Sequence, residues 1–286
     1  MIHEKYLDKA DPVLVQKASG EVQPFEIKKL ELSLQNAGAR KETIADILAD
    51  IQSWVYSGVS TKKIYSRAFK LLKREKTISA LRYKLKQAIM ELGPTGYPFE
   101  RFIGQLYQIQ DYEVQVGVVV EGYSVMHEMD VIATKDGVQQ LLECKYSQDQ
   151  GRHVSVQVPL YVRSRVDDIV RKRKEHPLYK ELRFEGGVVT NTRFSTDSIQ
   201  YGRAAGLHLL AWDYPAGEGL KELIEKYKLY PLTVLTTLTK KEKNLLMERF
   251  VVSCRQLKQQ PEWLQELGLN PKKSRAVQRE LDEICM

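Results

Sequence analysis

The residues of this chain whose types and spacing suit chemistry best are Asp130, Glu143 and Lys145, provided the backbone brings them together. Two β-favouring runs, Met129 to Thr134 and Val138 to Lys145, flank Asp136-Gly137, a dipeptide at ease at positive φ and suited to a two-residue hairpin turn. With that dipeptide as the loop, Lys135 pairs with Val138 and Asp130 falls opposite Glu143. Side chains alternate with period two, so Lys145 shares their face, while Met129, Val131, Ala133, Leu142 and Cys144 collect on the other, which is apolar enough to be core. Two carboxylates about 5 Å apart at Cβ repel unless a cation lies between them, and hard divalent ions take oxygen ligands of this kind. A lysine two residues on suits activating a water or neutralising charge on a phosphate. The pattern is that of metal-assisted phosphodiester hydrolysis. An exposed strand face with an ordinary charged cluster accounts for the same residues equally well.

The elements that must position this hairpin lie on either side. Gly93-Pro94-Thr95-Gly96 breaks the preceding pattern as a linker, and a helix from about Pro98 to Gln108 follows, with Phe99, Phe102, Ile103 and Leu106 on its apolar side and Glu100 offset from that stripe. Tyr112 to Glu121 reads as the strand before the hairpin. After Lys145 come a polar loop, Ser147 to Arg152, and a helix through VSVQVPLYVRSRVDDIVRKRK, where Pro159 implies a kink or a late start. Arg163, Arg165, Arg171, Lys172, Arg173 and Lys174 make it the densest basic stretch, suited to phosphate contact or simply to the helix macrodipole. Gly186 to Asn191 and Gly206 to Trp212 are apolar strands joined by a helix near Asp197 to Ala205, hence parallel. His127 points away from Asp130 in a regular strand, which favours a structural role over metal ligation.

Glu100 on its helix, then Asp130, then Glu143-Cys144-Lys145, resembles the PD-(D/E)xK signature in the form of Mrr-type restriction endonucleases, over roughly Gly96 to Trp212. The residue before Asp130 is Met129 where the family name has Pro. The resemblance implies an α/β restriction-endonuclease-like core with a mixed sheet. It implies Mg²⁺ (or Mn²⁺) held by Asp130 and Glu143, a water positioned or activated by Lys145, a water or second ion oriented by Glu100, and a polar contribution from Gln157.

Upstream, Val13 to Lys17 and Glu21 to Phe25 read as short strands around Ala18-Ser19-Gly20, followed by amphipathic helices separated at Gly38, at Gly58 and near Lys76-Thr77, with Ser60 and Ser79 as N-caps. VQKASGEVQPFEIKKLELSLQNAGA, continued by SALRYKLKQAI, resembles the ATP-cone, an α+β nucleotide-sensing domain. Lys17 and Lys29 match its basic positions, implying ATP or dATP as a regulatory ligand, although Ala18 stands where the usual turn has arginine. Downstream, Gly217 to Lys226, Thr239 to Phe250, Pro261 to Glu266 and Pro271 to Ile284 read as helices, the last with Asn270 as N-cap; LQELGLNPKKSRAVQREL bears a loose resemblance to a helix-hairpin-helix. The expected domains are residues 1–92 (ATP-cone), 93–215 (nuclease-like) and 216–286 (helical).

Composition narrows the class. The chain has 286 residues, with 44 Lys and Arg against 37 Asp and Glu, a net of +7 that favours a polyanionic partner such as DNA. Cys144, Cys254 and Cys285 form no CxxC, which disfavours a zinc ribbon and a disulfide framework and suits a reducing cytoplasm. No apolar leader and no run near the ~20 apolar residues of a membrane span occurs. The expectation is a metal-dependent DNA endonuclease tuned by ATP or dATP, compatible with a homo-oligomer. The alternative is a nucleotide-responsive DNA-binding regulator with an inactive nuclease fold.

Overall fold

The structure, a computed structural model, describes residues 12–17, 20–75 and 77–285, and the chain divides after Lys84 into two compact units. In the first, β1 (Leu14–Gln16) and β2 (Val22–Pro24) pair antiparallel; Ala18 and Ser19 of the expected turn lie outside the described residues, as does Lys76. The helices are α1 (Ile27–Asn36), α2 (Lys41–Trp54), α3 (Thr61–Glu75) and α4 (Thr77–Met90), the last beginning in this unit. Their i, i+3, i+4 stripes supply the core, with Leu30, Leu34, Ile47, Ile51, Ala68 and Leu72 buried. Ser60 caps α3 by accepting from the Lys63 amide. Ser79 is no cap: it lies inside α4, where its hydroxyl donates to the Gly38 carbonyl at 3.1 Å.

The second unit is built on a five-stranded mixed sheet. α5 (Tyr97–Gln108) precedes β3 (Glu113–Glu121), β4 (Met126–Lys135) and β5 (Val138–Lys145); a short β6 (His153–Val154) leads into α6 (Gln157–Arg173). Then follow β7 (Arg183–Thr190), β8 (Arg193–Phe194), α7 (Thr196–Ala204) and β9 (His208–Leu210). The sheet order is β3-β4-β5-β7-β9; β3, β4 and β5 are antiparallel, while β5, β7 and β9 run parallel through α6 and α7. α6 starts at Gln157, so Pro159 falls in the first turn, where its missing N–H costs nothing.

The β4–β5 hairpin turns at Asp136 and Gly137, whose φ of 50° and 74° suit a type I′ turn, and Lys135 pairs with Val138. That register runs to Val131 opposite Leu142 and stops. The β3–β4 ladder also skips one position, because Val116 pairs with Val131 and Val118 with Met129, leaving Gly117 across from Asp130 unpaired. Gly117 has φ +65°, a conformation side chains rarely adopt, and the strands turn over there. Before it, Val114 and Val116 meet Gly104 of α5; after it, Val118 and Val120 join Met129 in the cluster formed with Val162, Val166 and Ile169 of α6. Met129 therefore packs with Ile132 and Leu141, a departure from the strict alternation expected of it.

Beyond the sheet come α8 (Leu220–Tyr227), α9 (Lys240–Glu248), α10 (Cys254–Gln259), α11 (Glu262–Glu266) and α12 (Pro271–Ile284). Thr239 and Glu242 form a capping box on α9, and Asn270 caps α12 with Pro271 at its first position. α10, capped by Ser253, was not expected from the pattern; at six residues it is too short to show a helical period. Among the described residues no helix is long and apolar enough to cross a membrane.

Candidate active site

The turnover at Gly117 and Asp130 opens the sheet where the chemical side chains gather. Asp130 spends one carboxylate oxygen, Oδ2, on the Cys144 amide, which donates at 2.6 Å and takes the place of a strand-to-strand bond. Glu143, 5% exposed, accepts from Lys145 Nζ at 2.6 Å through Oε1 and from the Arg165 guanidinium through Oε2. Arg165 also donates to the Glu128 carbonyl, tying α6 to the start of β4. Met126, His127, Glu128, Asp130, Glu143, Tyr161 and Arg165 line a cleft of about 280 Å³. Asp130, Glu143 and Lys145 thus come together from the hairpin, and Glu100 joins them electrostatically from α5.

The charges do not balance locally. Burial, then the neighbouring Glu143 carboxylate, pushes Asp130 up to about 6 despite the Cys144 amide. Glu100 is pushed up to about 7, first by burial and then by Asp130, Glu128 and Glu143. For Lys145 burial opposes the charge, but the hydrogen bond to Glu143 and the charges of Glu143 and Asp130 outweigh it and hold the amine above its ordinary value. Three half-buried or buried carboxyls therefore face two internal cations, a donor set that lacks positive charge and fits a hard divalent ion. Among the described residues no trio of His, Cys, Asp or Glu closes a cage.

Because both carboxyls protonate more readily folded than unfolded, folding takes up protons between roughly pH 4 and 7, and stability falls as pH rises through that window. Glu100→Gln removes one such group. It is expected to melt higher than the parent at pH 8 and nearly with it at pH 4, at about 2–4 °C per kcal/mol for a unit of this size. Thermal melts at the two pH values check this; an equal difference at both would show that charge is not its cause.

The structure disposes of other expected residues differently. Gln157 is exposed at the first position of α6 and makes no hydrogen bond to Asp130, Glu143 or Lys145 among the described residues. α6 contributes Tyr161 and Arg165 instead, neither assigned to the site from sequence. A signal for Arg165 exists: it falls within the buried stripe of Val162, Val166 and Ile169, and arginine is buried almost only when paired. His127 lines the cleft, since β4 is not regular at Asp130, yet its ring is held by Asp168 at 2.8 Å, and that bond leads the interactions that hold the Asp168 carboxyl down to about 2. The basic stretch is largely committed internally. Arg163 pairs with Asp167, Lys172 lies 3.3 Å from Glu121, Arg171 stacks on Tyr123 at 3.4 Å, and Arg173 is buried near Tyr179. In the first unit Lys17 pairs with Glu21 at 3.0 Å and Lys29 with Glu26 at 2.7 Å, both on the surface.

Comparison with known proteins sets these features in a wider group. Residues 230–285 match the family described as AF1548-like, C-terminal. A protein of Archaeoglobus fulgidus, described as uncharacterized, is 30% identical over 183 residues, which cover 64% of this chain and 99% of that protein. The crystal structure of the protein of unknown function AF1548 is similar at a TM-score of 0.55 and 29% identity, over 66% of this chain and 98% of its own. The MspJI restriction endonuclease, solved with a 27-mer oligonucleotide, reaches a TM-score of 0.30 at 14% identity, over 58% of this chain and 40% of its own, a likeness too slight to bear on fold or activity.

Proposed function

The chain belongs to the AF1548-like family, and from the carboxylate hairpin it carries we propose that it is a metal-dependent endonuclease hydrolysing phosphodiester bonds of DNA, with a restriction-endonuclease-like core. One observation carries the reading. Asp130 and Glu143 line one cleft, Lys145 is bonded to Glu143, and burial together with these carboxylate neighbours pushes Glu100 and Asp130 above the usual carboxyl range. Held by Asp130 and Glu143, Mg²⁺ or Mn²⁺ supplies Lewis acidity toward a phosphate and lowers the pKa of a bound water. Lys145, kept protonated by Glu143, neutralises charge developing on the phosphate or orients the attacking water. Glu100, titrating near 7, is suited to hold that water or to accept its proton. Arg165 fixes the Glu143 carboxylate. A regulator on a silenced nuclease fold has no need to keep these side chains converged.

Plasmid DNA incubated with the protein should be nicked with Mg²⁺ or Mn²⁺ and left intact in EDTA; an intact plasmid with every divalent ion tried removes the assignment. ATP or dATP, bound in the first unit at Lys17 and Lys29, is proposed to shift this activity without being consumed. A ligand can do so only by binding two arrangements unequally. The support is the hairpin-plus-helices order and two surface lysines whose glutamate partners a phosphate would displace. Calorimetry of the full chain should show a binding heat that Lys17→Ala and Lys29→Ala reduce; no heat with the parent would leave this unit without a nucleotide.

A further inference from the structure

Beside the cleft, α5 and the loop after α9 bring two exposed rings and a cation together. Tyr97 and Phe250 lie with centroids 5.7 Å apart at 44°, and the Arg101 guanidinium sits 4.5 Å from the Phe250 centroid and 5.5 Å from that of Tyr97. Tyr97 is 40% exposed and Phe250 46%. Among the described residues no carboxylate pairs with Arg101, whereas Arg163, Arg165, Arg183, Arg193 and Arg249 of this unit each have such a partner.

Phe250 stands where the backbone asks for glycine. It follows the C-cap of α9 with φ 62°, the left-handed position that usually closes a helix with Gly, and a bulky side chain there is a genuine outlier. Core packing does not offset that strain, since nearly half of its surface faces solvent. The place is also specific. Tyr97 is one helical turn before Glu100, about 5 Å along α5, and Arg101 is the next residue after it. The Tyr97 hydroxyl lies 3.5 Å from where a Cβ on Gly117 would be, and Gly117 is set across from Asp130.

We propose that Tyr97, Arg101 and Phe250 form a stacking seat for one unpaired base next to the phosphate held in the cleft, so that the substrate is single-stranded or locally unpaired where it is cut. This rests on the cleft being a nucleic-acid site. Exposed aromatic faces with an unneutralised arginine are what single strands bind: every base has a π-face, and the cation serves both ring and phosphate. Bases within a duplex are already stacked on one another and cannot use such a seat.

The test is a fluorescence titration of the full chain in EDTA with a single-stranded oligonucleotide carrying 2-aminopurine, and with the matching duplex. The parent is expected to quench the probe and to prefer the single strand. Phe250→Gly should weaken single-strand binding about tenfold, leave duplex binding alone, and melt at the same temperature or higher, because glycine relieves the left-handed strain. Phe250→Trp should restore binding and quenching. Single-strand binding by Phe250→Gly equal to that of the parent, no single-strand binding by the parent, or a lowered melting temperature in Phe250→Gly would each overturn the seat. Plasmid nicking does not enter this titration, so a chain that nicks nothing yet loses single-strand binding in Phe250→Gly keeps the seat and loses the nuclease reading.

Discussion

Asp130→Asn is expected to cut Mg²⁺-dependent plasmid nicking by roughly a thousandfold or more while leaving the fold in place. The substitution is nearly isosteric, and the amide oxygen can still accept from the Cys144 N–H that Asp130 now engages at 2.6 Å. What disappears is one of the two carboxylates proposed to hold the metal. The variant should be no less stable than the parent at pH 8, since Asp130 ionises against burial and the Glu143 charge. A companion, Lys145→Gln, keeps Glu143 paired with Arg165 and should lose about a hundredfold or more in rate. Melting curves beside time courses of supercoiled-to-open conversion separate lost chemistry from lost fold. Asp130→Asn nicking at the parental rate would move the active site away from this hairpin.

The parts of this site that were legible in the sequence are those governed by local rules. Asp136-Gly137 dictates a turn whose strands can pair in one register only, so Lys135 opposite Val138 follows without tertiary knowledge. Asn270-Pro271 dictates where α12 begins in the same way. The turnover at Asp130 lies beyond local rules, because strict alternation assumes a regular strand pair and Gly117, across from Asp130, has a backbone that breaks it. A glycine inside an otherwise β-branched run, EVQVGVVVE, was the available sign. The basic helix is a different case. Charge density along a sequence does not show which cations the fold neutralises, and Arg163, Arg165 and Lys172 are each answered by a carboxylate. Ser79 failed as a cap because its preferred partner lay far along the chain, at Gly38.

Arg165→Met is the second change with a large expected effect, this time on stability. Glu143 is buried and now has two cationic partners; removing the inner one leaves its charge facing Lys145 alone, whose side chain is 40% exposed. Breaking a buried pair from one side costs about 3 kcal/mol or more, or roughly 6–12 °C in melting temperature for a unit of this size. The methionine keeps most of the volume beside Tyr161, over whose ring the guanidinium lies at 5.2 Å, so the loss reports charge more than packing. Two further measurements give the change its meaning. Glu143→Leu combined with Arg165→Met should recover most of the lost stability, because the pair is then removed from both sides, and the double-variant cycle yields the coupling directly. Mg²⁺ should raise the melting temperature of Arg165→Met more than that of the parent, since an ion at Asp130 and Glu143 would supply the charge the arginine no longer does. If Arg165→Met melts with the parent, Lys145 alone satisfies Glu143. If Mg²⁺ raises the two melting temperatures equally, the ion is not bound at the carboxylate that Arg165 holds.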